Sequence, residues 1–127
     1  MDGMIIGMAA AGVALLVVRR MSGSGVPGIS AADARALAAS GDCLLLDVRS
    51  AGEWRSGRIA GATHIPLADI AARSGELPSG RAIVVYCASG MRSRIAAGTL
   101  AKKGFADVRN MTGGISAWQG RGLPVER

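Results

Sequence analysis

Residues 81–93 read Arg81-Ala82-Ile83-Val84-Val85-Tyr86-Cys87-Ala88-Ser89-Gly90-Met91-Arg92-Ser93, and this stretch decides the fold. Its first half is a continuous apolar run, the pattern of a strand buried on both faces of a parallel sheet. Downstream, residues 93–103 place Ile95, Ala96 and Leu100 on one side. Lys102 and Lys103 fall near the last carbonyls, and Gly104 follows as a stop, which predicts a helix. A strand that enters a helix through a tight loop is half of a β-α-β unit, and the alternation recurs along the chain. Residues 43–48 form a second apolar run, 107–111 a weaker third, and His64-Ile65 a short fourth. Ser30 is placed to cap a helix over 31–39 that Gly41 ends, and 114–119 suggests a short last helix. The expected fold is α/β, a mainly parallel central sheet flanked by helices. In such sheets ligands bind beyond the carboxyl ends of the strands, which points to Cys87 and to the stretch from Asp47 to Arg49.

The 127 residues allow one domain of this kind and little more. Two cysteines, Cys43 and Cys87, exclude a disulfide scaffold and a cysteine-based zinc cluster, and a single histidine, His64, argues against a histidine-rich metal site. No metal and no organic cofactor is expected. Two Trp, one Tyr and one Phe are too few for a base-stacking platform, and the basic residues form no run longer than two, so nucleic acid is not an expected partner. From residue 26 onward, 13 basic and 8 acidic side chains leave +5, which suits an anionic substrate or anionic lipid headgroups.

Ahead of this body stands an apolar head. Residues 3–18 carry no charge and are followed by Arg19-Arg20 and a Ser/Gly stretch. As a helix the run would span roughly 24 Å, a little short of a hydrocarbon core of about 30 Å. It is read as a membrane anchor over 1–20, with a linker over 21–28 and the α/β domain over 29–127. Arginines behind the run place the domain on the cytoplasmic side of a single-pass anchor. An exported protein with a signal peptide is the alternative, although a signal peptide carries its basic residues before the apolar run and this chain has only Asp2 there.

The loop after residue 86 carries the chemistry. A tight strand-to-helix turn points several backbone N–H groups inward as an anion-binding nest, and the helix dipole adds partial positive charge. Gly90 supplies the positive φ that such a loop needs. Arg92, with Arg94 beyond it, adds full charge. Together these features favour thiolate over thiol, so Cys87 is expected to be an exposed nucleophile of lowered pKa. Cys43 opens an apolar strand at the end opposite the loop and is expected to be an inert buried thiol.

The order of several short motifs resembles the rhodanese (sulfurtransferase) family. They are Asp47-Val48-Arg49, Glu53-Trp54, Gly57-Arg58-Ile59-Ala60-Gly61-Ala62, His64-Ile65-Pro66-Leu67, Tyr86-Cys87-x-x-Gly90-x-Arg92-Ser93, Gly104-Phe105, and Gly113-Gly114-x-x-Ala117-Trp118 followed by Gly122 and Pro124. Arg58 stands where the family usually has His. The resemblance implies that Cys87 attacks the sulfane sulfur of thiosulfate or a persulfide and passes it, through a Cys87 persulfide, to cyanide, a small thiol or a protein acceptor. It implies donor and persulfide binding by Ala88, Ser89, Gly90, Met91, Arg92 and Ser93, with Arg92 on the anionic donor. Asp47 and Arg49 would brace the fold, Arg49 pairing with Glu53. The alternative is a persulfide carrier that relays sulfur to a membrane partner without turnover. Phosphatase or arsenate reductase activity is more distant, because such loops place five residues between Cys and Arg and this one places four.

Overall fold

The computed structural model describes residues 25–127. Five parallel strands form one sheet in the order β1-β5-β4-β2-β3. They are β1 (Gly28–Ile29), β2 (Cys43–Asp47), β3 (Thr63–His64), β4 (Ala82–Tyr86) and β5 (Val108–Met111). The helices are α1 (Ala31–Ala39), α2 (Ala51–Ser56), α3 (Ile70–Arg73), α4 (Met91–Lys102) and α5 (Gly114–Gly120), and short 3-10 turns at Leu67–Asp69 and Ser74–Glu76 flank α3.

The apolar runs become strands because both faces of the sheet are covered. Along β4, Ile83, Val85 and, just beyond the strand, Cys87 enter one core with Leu46, Val48, Ile70, Ala96, Ala97 and Leu100. Val84 and Tyr86 enter the other core, with Cys43, Leu45, Ala34, Ile115 and Trp118. Helix α4 therefore lies on one face and α1 and α5 on the other. β2 and β4 run in register from Cys43↔Ala82 to Asp47↔Tyr86, so Cys43 sits at the opposite end of the sheet from Cys87 and in the opposite core. Burial pushes the Cys43 thiol up. The Ser30 hydroxyl accepts from the Asp33 N–H at 3.0 Å and caps α1, as its position in the sequence suggests.

Several features differ from expectation. Helix α4 starts at Met91, two residues early, because Gly90 takes φ +106 and turns the chain at once. Helix α2, which strand periodicity does not reveal, is fixed by a capping box: the Ser50 hydroxyl accepts from the Glu53 N–H and the Glu53 carboxylate accepts from the Ser50 N–H. The expected linker runs too far into the domain. Val26 is buried in the α4-side core, the Pro27 carbonyl accepts from the Asn110 N–H, and Gly28 pairs with Asn110 in β1. The expected anchor over 1–20 and the first part of the linker lie outside the described residues. Among the described residues no helix is long and apolar enough to cross a membrane.

Candidate active site

Cys87 follows directly on β4, and its loop closes over it. The Gly90 N–H donates to Cys87 Sγ at 3.0 Å, and the Ser93 hydroxyl donates to Sγ at 3.4 Å. The same single Ser93 proton is shared with Asn110 Oδ1, which lies 2.5 Å from the hydroxyl oxygen, while Asn110 Nδ2 donates to the Gly90 carbonyl at 3.1 Å. Asn110, at the carboxyl end of β5, thus holds both ends of the turn that cups the sulfur. The N-terminus of α5 holds the other side: the N–H groups of Ile115 and Ser116 donate to the carbonyls of Cys87 and Ala88. This close approach requires Gly114. Its φ is +59, and a Cβ there would stand 2.7 Å from the Ala88 carbonyl carbon and oxygen.

The thiol is acidic, though not for the expected reasons. Cys87 is only 1% exposed, so the expectation of an exposed nucleophile fails. Burial pushes the thiol up. Hydrogen bonds from the Ser93 hydroxyl and from the backbone N–H groups of Ser93, Gly90 and Ser89 outweigh it and leave the pKa below the ordinary thiol value. Oriented dipoles are the largest stabilising influence on the thiolate, and the Arg92 guanidinium adds to them, since the Cys87 thiolate in turn raises its pKa.

Arg92 is engaged chiefly by Glu53. Its Nη1 and Nη2 donate to Glu53 Oε1 and Oε2 at 2.8 and 2.9 Å, a bidentate pair from α4 to the first turn of α2. That hydrogen bond, above all, holds the Glu53 carboxyl down to about 2. It also raises the Arg92 pKa, with the Cys87 thiolate a smaller contributor. The expected Arg49–Glu53 pair is therefore absent. Arg49 instead pairs with Asp47, Nη2 to Oδ2 at 2.7 Å, and donates to the Gly57 carbonyl at 2.6 Å. With Asp47 fully buried and Arg49 nearly so, this pair braces the end of β2 against the turn before β3. Met91 is 73% exposed and lines a cavity of about 240 Å3 with Ser89, Gly90, Arg94, Asn110 and Thr112, behind the Gly90 peptide.

His64 is structural: its Nε2 lies 2.7 Å from the Arg49 carbonyl and its ring stacks on Trp54, centroids 4.8 Å apart. Arg58, the departure from the family pattern, covers the Trp54 ring at 4.9 Å and bridges to Glu126 away from the loop. Sequence reasoning missed Asn110, Gly114 and the role of Glu53. The Glu53 position could have been found from its capping box, because a carboxylate fixed at a helix start beside the active face is available to the loop.

A rhodanese-like domain pattern matches residues 30–121. The chain belongs to the rhodanese-like family. Rhodanese-like relatives include a sulfurtransferase of Allochromatium vinosum, 42% identical over 89 residues that cover 70% of this chain and 83% of the relative. A thiosulfate sulfurtransferase, GlpE, of Pseudoalteromonas translucida is 35% identical over 78 residues, 61% of this chain and 74% of that protein. Among solved structures, a rhodanese-related protein from Thermoplasma volcanium superposes with a TM-score of 0.73 at 31% identity, over 79% of this chain and 97% of that one. The chain thus holds a rhodanese-like domain and has sulfurtransferase relatives.

Proposed function

We propose that this rhodanese-like domain moves sulfane sulfur through a persulfide on Cys87. The observation that carries the reading is the cup around Sγ: the Gly90 N–H at 3.0 Å and the Ser93 hydroxyl at 3.4 Å aim at one buried sulfur. In the first half-reaction the Cys87 thiolate attacks the outer sulfur of a donor such as thiosulfate or an organic persulfide. A new S–S bond to Cys87 forms, the donor's own S–S bond breaks, and the leaving sulfite or thiolate takes the electron pair. In the second, cyanide or a thiol attacks the outer sulfur and the Cys87 thiolate leaves. The donors that hold the thiolate can follow the charge onto the persulfide, as an oxyanion hole does for oxygen. Asn110 and the α5 N-terminus keep them aimed, and Arg92 with Glu53 forms the charged rim.

The test is intact-mass measurement of the full chain after exposure to thiosulfate or cysteine persulfide, then to cyanide. Gain of one sulfur by the wild type and by Cys43→Ser, its loss to cyanide, and no gain by Cys87→Ser are expected. A Cys87→Ser protein that still loads and turns over would refute the assignment. Loading without steady-state turnover would make the chain a persulfide carrier. The phosphatase reading gains nothing here, because the Arg92 guanidinium that would have to face a phosphate is committed to both oxygens of Glu53.

We also propose, from the sequence of residues 1–20, attachment to a membrane with the domain on the cytoplasmic side. Carbonate-resistant sedimentation of the full chain with membranes, abolished by removal of 1–20, is the expected result. Full release by carbonate would refute it.

A further inference from the structure

The rim of the site is electrically balanced in a way the family motif alone does not show. Arg92, in the first turn of α4, sits between Gly90 and Ser93, the two residues that hold Sγ. Its Nη1 and Nη2 each donate to one Glu53 oxygen. Glu53 is not free to leave: its Oε1 also accepts from the Ser50 N–H and hydroxyl, each at 3.0 Å, so release of Arg92 would also loosen the cap of α2. Two neighbouring cations are likewise paired. Arg49 is tied to Asp47, and Arg58 to Glu126. Arg94 lines a cavity together with Gly90, and Arg127 lines a cleft together with Glu53. A donor that approaches the cup therefore meets a fixed carboxylate beside a neutralised guanidinium.

On this geometry, and resting on the sulfurtransferase reading above, we propose that Glu53 sets the donor preference of the site by neutralising Arg92, so that an organic persulfide of low charge is favoured over dianionic thiosulfate. The two donors make the same bond to Cys87 but differ in what they leave. Thiosulfate brings two negative charges and releases sulfite, whose charge stays at the rim. A persulfide R–S–SH releases R–S− at the same place with at least one fewer negative charge. Repulsion between a fixed carboxylate and an incoming dianion grows with the charge of the donor, and salt weakens it.

The experiment measures the rate of single-turnover loading of the full chain by intact mass, with thiosulfate and with cysteine persulfide as separate donors, at low and high salt. Glu53→Gln keeps the length and much of the capping, and removes the charge. It is expected to raise loading from thiosulfate about tenfold, the scale of one partly screened charge acting on a dianion, with a much smaller change for cysteine persulfide. The thiosulfate gain should shrink at high salt. Arg92→Gln, which leaves the carboxylate uncompensated, should move the donor ratio the opposite way. Ser50→Ala weakens the cap but keeps the charge pair, and should leave the ratio unchanged.

The inference is overturned if Glu53→Gln lowers loading from both donors equally, which is the mark of a structural brace. An unchanged ratio overturns it too, as does a ratio that shifts with Arg127→Ala instead. In each of these cases the wild type still loads and the sulfurtransferase reading stands. Loading of the wild type from neither donor refutes that reading, and this inference with it.

Discussion

Replacing Ser93 by Ala isolates the physical origin of the Cys87 acidity. The change removes one hydroxyl, whose single proton is shared between Sγ at 3.4 Å and Asn110 Oδ1 at 2.5 Å, and leaves the Gly90 N–H contact at 3.0 Å in place. A hydrogen bond to a charged group is worth about 1.5–3 kcal/mol, and a long contact to sulfur falls at the lower end. One pKa unit is about 1.4 kcal/mol, so the Cys87 pKa should rise by about one unit. Below the Cys87 pKa of both proteins, a tenfold smaller thiolate fraction is partly offset by the greater nucleophilicity of the more basic thiolate, about threefold per unit. Loading, or alkylation by iodoacetamide, should therefore slow about threefold on the acid limb of the rate–pH curve and quicken about threefold at the alkaline plateau. Rate–pH curves of wild type and variant then cross, which damage to the loop would not produce. A curve lowered by the same factor at every pH, or an unmoved midpoint, would refute the account. Stability supplies a second readout. Because the folded-state pKa of Cys87 is depressed, its contribution is complete above the unfolded thiol pKa of about 8.5 and is lost as pH falls through the folded value. The gap in stability between wild type and Ser93→Ala should accordingly widen as pH rises toward that range. A pH-independent part, about 1–3 kcal/mol, should remain because Asn110 Oδ1 loses its donor.

Arg49→Ala leaves the fully buried Asp47 carboxylate without its guanidinium, so urea unfolding should show a loss of about 3–5 kcal/mol, and a loss below about 1 kcal/mol would refute the brace. Gly114→Ala forces a Cβ against the Ala88 carbonyl at a positive φ; Cys87 loading should fall at least about tenfold with a modest drop in melting temperature, and unchanged loading would show that the loop does not depend on this approach. Glu53 is held down to about 2 by Arg92, so its stabilisation is complete above about pH 4.5 and fades as pH falls toward 2. The stability difference between wild type and Glu53→Gln should shrink over that window in acid titration, and a difference flat across it would deny the pair a role in folding.

The parts of the fold that local pattern controls are legible in the sequence. β2 and β4 read as buried strands because every side chain of these parallel strands meets a covered face, and continuous apolar runs have few other uses. Ser30 and Gly41 bracket α1 for reasons contained within a turn or two of chain. Strand β1 is two residues long and exists only because Gly28 lies beside Asn110, a partner 82 positions away in the chain that no local window contains. The 3-10 turns around Ile70 are likewise too short to show periodicity. The candidate site divides along the same line. Cys87, Gly90 and Ser93 announce themselves as a strand-to-helix loop with a flexible joint. Their supports do not: Asn110 looks like one more residue in a weak strand, and Arg92 looks like a free cation until the fold brings Glu53, 39 residues upstream, to it.

That last pairing separates two tasks the sequence invites one to merge. An arginine beside a cysteine suggests that one charge both ionises the nucleophile and receives the anionic donor. In the folded protein the thiolate rests on hydrogen bonds from Gly90, Ser89 and Ser93, whose direction is set by Asn110 and by the start of α5 before any donor arrives. Dipoles fixed in this way need no reorganisation as charge moves from thiolate to persulfide. They also act at contact range and fade quickly beyond it, so they reward an anion seated in the cup and do little to attract one from outside. Long-range attraction falls to the net charge of the rim, and there Glu53 offsets Arg92. The acidity of Cys87 and the choice of donor thus have their main controls at different residues: Ser93 moves the first with little effect on the charge met by a donor, and Glu53 moves the second through a carboxylate that reaches the sulfur only by way of Arg92.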